Sequence, residues 1–340
     1  MTTSLVVQTS FLGDTVLTTP LLAWLARSGP VDVLATKAGA AVLANNPTVR
    51  EILVYDKRGV DRGMFGFART AAMLRRRRYD SAYHAQGSPR SGALTAAAGI
   101  RDRVGFASSA GRLFYTTRIP PVDNAHHTAR LLSLGTRDPL AEPSAAELRP
   151  RLYPGIIERA QVDVVLGPSA AGVQLIALAP GSVWATKRWP YFAELARELS
   201  ALGQIVVVGA ESDRDIALEV VGATKGQAID ATGRLPLLAS AELIGRSAVL
   251  VTNDSSPLHL ASAMNTATVA VFGPTVPEFG FGPLADHAVV VGHTGLACRP
   301  CDRHGPQRCP LRHWRCMREL SPDVVAQATT KLLGGAPAAR

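Results

Sequence analysis

No apolar run in this chain of 340 residues approaches the eighteen or so needed to cross a bilayer, so a membrane-spanning helical protein is excluded. Charged residues are sparse at 19%, but 47% of the chain is hydrophobic, which suits a globular protein with sizeable cores rather than a disordered one. Aromatics reach only 6%, leaving little for stacking on bases, and no nucleic-acid partner is expected. The start, Met1-Thr2-Thr3-Ser4-Leu5-Val6-Val7, carries no basic leader and runs straight into a strand, so a cytoplasmic location is expected. There is no G-x-x-x-x-G-K-[ST] loop, no G-x-G-x-x-G after the first strand and no G-x-S-x-G elbow. These gaps argue against a P-loop NTPase, an ordinary nicotinamide enzyme and an α/β-hydrolase. No Asp-x-Asp pair is found in either domain to hold a catalytic divalent ion.

Cysteine is absent from the first 297 residues and then occurs four times within nineteen: Cys298, Cys301, Cys309 and Cys316. The spacing would let four thiolates converge on structural zinc or iron, and the surrounding arginines favour thiolates. Disulfides are poorly supported in a reducing compartment, and four idle thiols remain the plain alternative.

The net charge of +9 is unevenly placed: residues 50–130 hold fifteen Lys/Arg against six Asp/Glu, and the rest of the chain balances. Arg75-Arg76-Arg77-Arg78 is the densest run. A solvated helix face explains many of these charges; the functional reading is a surface for an acidic partner, an anionic membrane or a phosphorylated substrate.

Strand and helix signals alternate twice. Strands are expected at 4–8, 31–35, 51–55, 81–84 and 103–106, with helices at 16–27, 38–45 and 65–77. Breakers crowd residues 137–169, where the domain junction is placed between 1–165 and 170–340. Strands then follow at 174–179, 204–209, 248–252 and 287–291, with helices at 191–201, 213–222 and 321–333. The fold class expected is α/β, two doubly wound domains with ligands beyond the carboxyl ends of their strands, in an inter-domain cleft.

The richest segment runs Val251-Thr252-Asn253-Asp254-Ser255-Ser256-Pro257-Leu258-His259 and closes with Phe272-Gly273-Pro274-Thr275. Ser255 or Ser256 is expected to cap a helix that Pro257 opens, leaving free N–H groups for a phosphate; an ordinary βαβ turn reads the same way. Gly13 allows close approach of a ligand after the first strand, and Asp14 suits a general base or a helix cap. Ser182 and Lys187 border a strand-to-helix loop where a diphosphate can be neutralised. Glu211 could receive ribose hydroxyls or merely favour a helix start, and His259 could be a phosphate contact or a packed core residue. Together these features describe a metal-independent nucleotide-sugar glycosyltransferase.

The ordered set resembles glycosyltransferase family 9, the lipopolysaccharide heptosyltransferases of GT-B fold. It is carried by Phe11-Leu12-Gly13-Asp14-Thr15, Ala179-Pro180-Gly181-Ser182, Lys187-x-Trp189-Pro190, Gly209-Ala210-Glu211 and the Asn253–Thr275 segment. The cysteine segment is similar to the heptosyltransferase II branch and to some protein-directed heptosyltransferases, where such cysteines are associated with iron. The resemblance implies that Asp14 activates the acceptor hydroxyl and Lys187 pairs with the diphosphate of ADP-heptose. It further implies that Glu211 contacts the nucleoside, and that Asp254 with Ser255, Ser256 and the backbone after them holds heptose and phosphates. His259 matches the family's histidine on that helix. Arg58, Arg62 and Arg103, on the basic face, would meet the lipid A–core acceptor at the inner membrane. No cofactor is implied for catalysis. The family usually carries glycine where Ser256 stands; if φ there is positive, serine costs on the order of 1 kcal/mol. Gln8 stands where many members have arginine. The alternatives are a transferase of the same family using another nucleotide sugar, or a non-catalytic nucleotide- or nucleic-acid-binding protein of this fold.

Overall fold

A computed structural model describes residues 2–170 and 172–335; the last five residues of the expected second domain lie outside the described residues. The chain divides into two compact units, Met1–Tyr153 and Pro154–Arg340. The helix Ile156–Leu166, which the sequence places in the first domain, belongs to the second unit. There Arg246 donates to Asp163 at 2.5 Å and to the Arg159 carbonyl at 3.2 Å.

In the first unit, β1 (Ser4–Gln8), β2 (Val31–Ala35), β3 (Glu51–Val54), β4 (Ser81–His84), β5 (Asp102–Phe106) and β6 (Thr117–Ile119) form one sheet in the order β3-β2-β1-β4-β5-β6. Every strand pair is parallel. β1, β2 and β4 are buried at every residue, as expected of inner parallel strands covered on both faces. Asp32 lies within that core because the Arg50 guanidinium grips its carboxylate at 2.8 and 2.7 Å and the Tyr79 hydroxyl donates at 2.6 Å. Leu5, Val7, Leu34, Leu53, Leu74 and Leu94 make up much of the unit's core.

The second unit repeats the plan with β7 (Leu175–Ala179), β8 (Gln204–Val207), β9 (Ile229–Asp230), β10 (Val249–Asn253), β11 (Thr268–Val271) and β12 (Ala288–Val291). Their order is β12-β11-β10-β7-β8-β9, again all parallel. Its core gathers Ile176, Trp189, Phe192, Val207, Val251 and Val271. Trp189 fits because Phe192 meets it edge-on at 5.3 Å and its indole N–H donates to the Leu320 carbonyl at 2.9 Å.

Both sheets reverse direction beside their first strand, between β1 and β4 and between β7 and β10. A crevice opens at such a point beyond the carboxyl ends, where helices diverge to opposite faces. No helix among the described residues is long and apolar enough to cross a membrane.

Candidate functional site

At the switch point of the first sheet, β1 passes at once into the helix Leu12–Leu17, four residues earlier than the expected helix start. Asp14 is therefore inside the first helical turn and is not its cap; Phe11 holds that position without a side-chain hydrogen bond. Gly13 is buried in the same turn. The Ser10 hydroxyl lies 2.8 Å from Asp14 Oδ2, and His127 Nε2 lies 3.9 Å from Asp14 Oδ1. Beneath them the Gln8 amide, fully buried, donates to Thr18 Oγ1 at 3.0 Å and to the Asp14 carbonyl at 3.4 Å. Gln8 thus fastens the turn that carries the carboxylate.

Lys57 reaches into this turn and donates to the Thr9 carbonyl at 2.9 Å. Burial, and then the Arg58 and Arg90 charges, pull its ammonium below the ordinary lysine range. Gln86, past the end of β4, accepts from Thr9 at 3.3 Å and from Ser91 at 3.0 Å. The result is a rim of hydroxyls, an amide and a cation around one carboxylate, chemistry that suits a sugar hydroxyl. Ser10, Lys57, Gln86 and His127 escaped the sequence reading. Only Ser10, four residues before Asp14, offered a local signal.

The expected acceptor arginines occupy different places. Arg103 lies in the amino-terminal half of β5, away from the carboxyl edge that carries Asp14. Its guanidinium donates to the carbonyls of Phe114 at 2.6 Å, Ile100 at 2.5 Å and Arg101 at 3.3 Å. These bonds brace its own unit. Arg58 and Arg62 are exposed, on the loop between β3 and the helix Gly63–Arg77.

At the second switch point, Lys187 Nζ stands 2.5 Å from Asp254 Oδ2, with both side chains about nine-tenths buried. Thr275 donates to the same oxygen at 2.6 Å. Asn253 holds two loops to the end of β10: its amide donates to the Pro180 carbonyl at 2.8 Å, and its Oδ1 accepts the Trp189 N–H at 3.1 Å. The sequence marks this fully buried asparagine only as part of a turn. Ser182 closes its own loop, accepting the Trp184 N–H on its hydroxyl at 3.3 Å and Arg188 Nε on its carbonyl at 2.8 Å.

The helix Ser256–Met264 starts as the sequence implied, with Pro257 in its first turn. Two details differ. Ser255 is the capping residue, but its hydroxyl makes no cap bond and is buried without a partner among the described residues. Ser256 is the first helical residue and is not among the residues of positive φ. The backbone cost raised for serine at this position therefore does not arise. His259 is buried, its ring tilted against Phe281 at 6.2 Å.

Glu211 is exposed and paired with Arg214 at 2.7 and 2.8 Å, a pairing that holds its carboxyl below the usual range. Asp213 accepts the Ala210 N–H at 3.0 Å and packs so closely under Gly181 that a Cβ there would collide with its carboxylate. Asp213-Arg214-Asp215 is an Asp-x-Asp run, which corrects the reading that the chain holds none. Its first carboxylate caps a turn and its second opens the helix Arg214–Ala223.

The cysteine segment folds against the lysine loop. Thr186 donates to the Pro306 carbonyl, Gln307 bonds Val183 and Ala185 at 3.0 and 3.1 Å, and the Cys301 N–H reaches the Pro274 carbonyl at 2.8 Å. A Cβ on Gly305 would sit 3.1 Å from Lys187 Cε, so glycine is what lets the segment close on the lysine. Burial raises the Cys309 thiol, but backbone N–H groups of residues 311–314 aimed at its sulfur outweigh that and bring it below the ordinary range. Burial first, with the Cys301 thiol next, pushes Cys316 up to about 11. Cys298 Sγ faces His313 Nε2 at 3.8 Å, and Cys301 donates to the Cys298 carbonyl at 3.1 Å. The four sulfurs lie near enough that Cys298, Cys301 and Cys309 all raise Cys316, but among the described residues no three His, Cys, Asp or Glu groups are disposed to hold a metal ion.

Comparison with known proteins gives this geometry its context. The family model for glycosyltransferase family 9 (heptosyltransferase) matches residues 67–311. Lipooligosaccharide heptosyltransferase 2 of Campylobacter jejuni is 32% identical over 170 residues, 48% of this chain and 52% of that protein, so the match spans about half the relative's length. Lipopolysaccharide heptosyltransferase 1 of Pseudomonas aeruginosa is 27% identical with 97% of each chain covered. The solved structure of Escherichia coli ADP-heptose lps heptosyltransferase II has a TM-score of 0.80 at 25% identity, with 98% of each chain covered. The two doubly wound sheets are those of the GT-B class, and this chain belongs to glycosyltransferase family 9, the heptosyltransferase family.

Proposed function

We propose that this protein is an inverting glycosyltransferase that moves L-glycero-D-manno-heptose from ADP-heptose to the inner core of lipopolysaccharide. The observation that carries the reading is the buried Lys187–Asp254–Thr275 cluster beside the start of the helix Ser256–Met264, at the switch point of the second sheet. The names of the family relatives supply the sugar and the acceptor class.

In this reaction the acceptor hydroxyl attacks the anomeric carbon, its proton passes to Asp14, and ADP departs. Ser10, beside the carboxylate, orients it. Negative charge grows on the diphosphate as the glycosidic bond breaks. A lysine fixed in place and the unpaired N–H groups of a helix start stabilise that charge without reorganising. No cofactor is needed for these steps. Glu211 and His259 are proposed to contact nucleoside and phosphate, with Ser182, Ser255 and Ser256 lining the donor. Arg58 and Arg62 face the acceptor side, with the enzyme at the cytoplasmic face of the inner membrane.

The cysteine segment enters as a brace for the lysine loop. Its zinc or iron, implied by sequence alone, is tested by elemental analysis of protein purified without added metal. A stoichiometric ion would support it; fully active protein lacking both metals would remove it.

The reaction itself is tested by turnover of ADP-heptose with a core acceptor, comparing wild type with Asp14→Asn. Loss of about a hundredfold or more in kcat is expected. Near-normal turnover by the variant would take the base role from Asp14, and no turnover by wild type would defeat the assignment.

A further inference from the structure

The loop after β3 and the first turn of the helix Gly63–Arg77 form a knuckle whose apolar side chains are left in solvent: Val60 is 73% exposed, Met64 86% and Phe65 94%. Burying such side chains is favourable, so a fixed segment presenting all three outward is unusual.

This loop is fixed. Asp61, buried at its centre, accepts the Asp56 N–H at 2.9 Å and Arg69 at 2.6 Å. Arg90 donates to the carbonyls of Asp61 and Gly63 at 3.0 and 3.3 Å and to the Tyr55 hydroxyl at 2.7 Å. Asp56 closes the turn through the Gly59 N–H at 2.9 Å and pairs with Lys37 at 3.2 Å. Both acidic groups of the knuckle are thus spent inside it or on cations of the same unit. The exposed Arg58 and Arg62 flank the apolar tip.

Three side chains are too few for a stable protein interface, which needs about 800 Å² from each partner. A small aromatic and aliphatic tip ringed by arginines matches instead the boundary between anionic headgroups and acyl chains. We infer that residues 58–65 dock the first unit on an anionic phospholipid surface, Met64 and Phe65 entering the acyl boundary while Arg58 and Arg62 meet lipid phosphates. This deepens the proposed function, since it rests on the acceptor being a membrane glycolipid.

The test is sedimentation of the full chain with vesicles of phosphatidylglycerol in phosphatidylcholine, free of glycolipid and nucleotide. The double variant Met64→Ser, Phe65→Ser should lose about tenfold or more in partitioning while keeping its unfolding temperature. Arg58→Gln with Arg62→Gln should lose a similar factor at low salt, and the difference from wild type should vanish at high salt. Transfer to a delipidated core oligosaccharide in solution should be unchanged in the Met64/Phe65 variant. Wild-type partitioning by that variant, or equal binding of wild type to vesicles without phosphatidylglycerol, would overturn the inference. So would loss of transfer to the soluble acceptor. If wild type binds vesicles as described but transfers no heptose, the reaction assignment fails and the docking surface stands.

Discussion

Replacing Lys187 by methionine leaves the Asp254 carboxylate in a site that is about nine-tenths closed to solvent, with the Thr275 hydroxyl as the one side chain still donating to it among the described residues. Breaking a buried ion pair from one side typically costs about 3–5 kcal/mol. The surviving hydroxyl offsets about 1 kcal/mol of that, so a loss of about 3 kcal/mol is expected. Asp254→Asn strands the ammonium instead and should cost a similar amount. The double variant buries no charge, and its loss should fall short of the sum of the single losses by at least about 2 kcal/mol. Urea unfolding followed by tryptophan fluorescence measures this, since Trp184 and Trp189 bracket the lysine and both belong to the second unit. In the presence of ADP at about a hundred times its Kd, wild type should gain about 2.7 kcal/mol and Lys187→Met much less. Additivity of the two single variants within about 0.5 kcal/mol would refute the reasoning, because groups so close and so buried cannot be independent.

Ser256→Gly should leave the donor KM within about twofold of wild type and cost no more than about 1 kcal/mol of stability, because Ser256 is helical rather than at positive φ; a gain in stability would reinstate a strained serine. Asn253→Ala should cost about 2 kcal/mol or more and weaken ADP binding, read by calorimetry, since two loops lose their common anchor. His84 is held down to about 3, first by burial and then by the Arg103 charge. Its folded pKa lies below the unfolded value of about 6.5, so the unfolded chain takes the proton first as pH falls. The stability is whole above about 6.5 and should decline below it by up to about 1.4 kcal/mol per pH unit. His84→Gln should flatten urea midpoints between pH 6.5 and 5, and an unchanged slope would contradict the assignment.

The inner strands were the most legible part of the fold. Ser4–Gln8 and Val31–Ala35 lie where the sequence puts them, because a strand buried on both faces writes a short, mostly apolar run; Ser81–His84 also lies where expected, ahead of the turn residues Gly87-Ser88-Pro89. The edge strands Thr117–Ile119 and Ile229–Asp230 are too short to leave a pattern. The helix Pro89–Ala97 was missed although Ser88 and Pro89 spelled its start. The break at Thr18, which splits one expected helix into Leu12–Leu17 and Thr19–Ala26, had Pro20 as its signal. At the site, motifs located the loops but not their partners. Lys187 and Asp254 are 67 positions apart, and only the crossover of β10 onto β7 makes them neighbours. Arg103 illustrates the reverse: its charge was visible, while the three carbonyls that consume it were not. Cysteine spacing said nothing of which way each sulfur turns.

The strand order of the two sheets also governs how the chain can be assembled as it is synthesised. In each unit the first strand made, β1 or β7, is an inner strand whose neighbours come later. β1 can acquire β2 once residue 35 is made, but its other edge stays bare until β4 is complete at residue 84. β7 waits likewise for β10, which ends at residue 253. During those intervals Leu5-Val6-Val7 and Leu175-Ile176-Ala177-Leu178 present unpaired backbone on apolar segments, the condition under which nascent chains associate wrongly. Yield of native protein should therefore depend on the pace of translation through residues 36–84 and 180–253, and on holdase chaperones that cover a single bare edge.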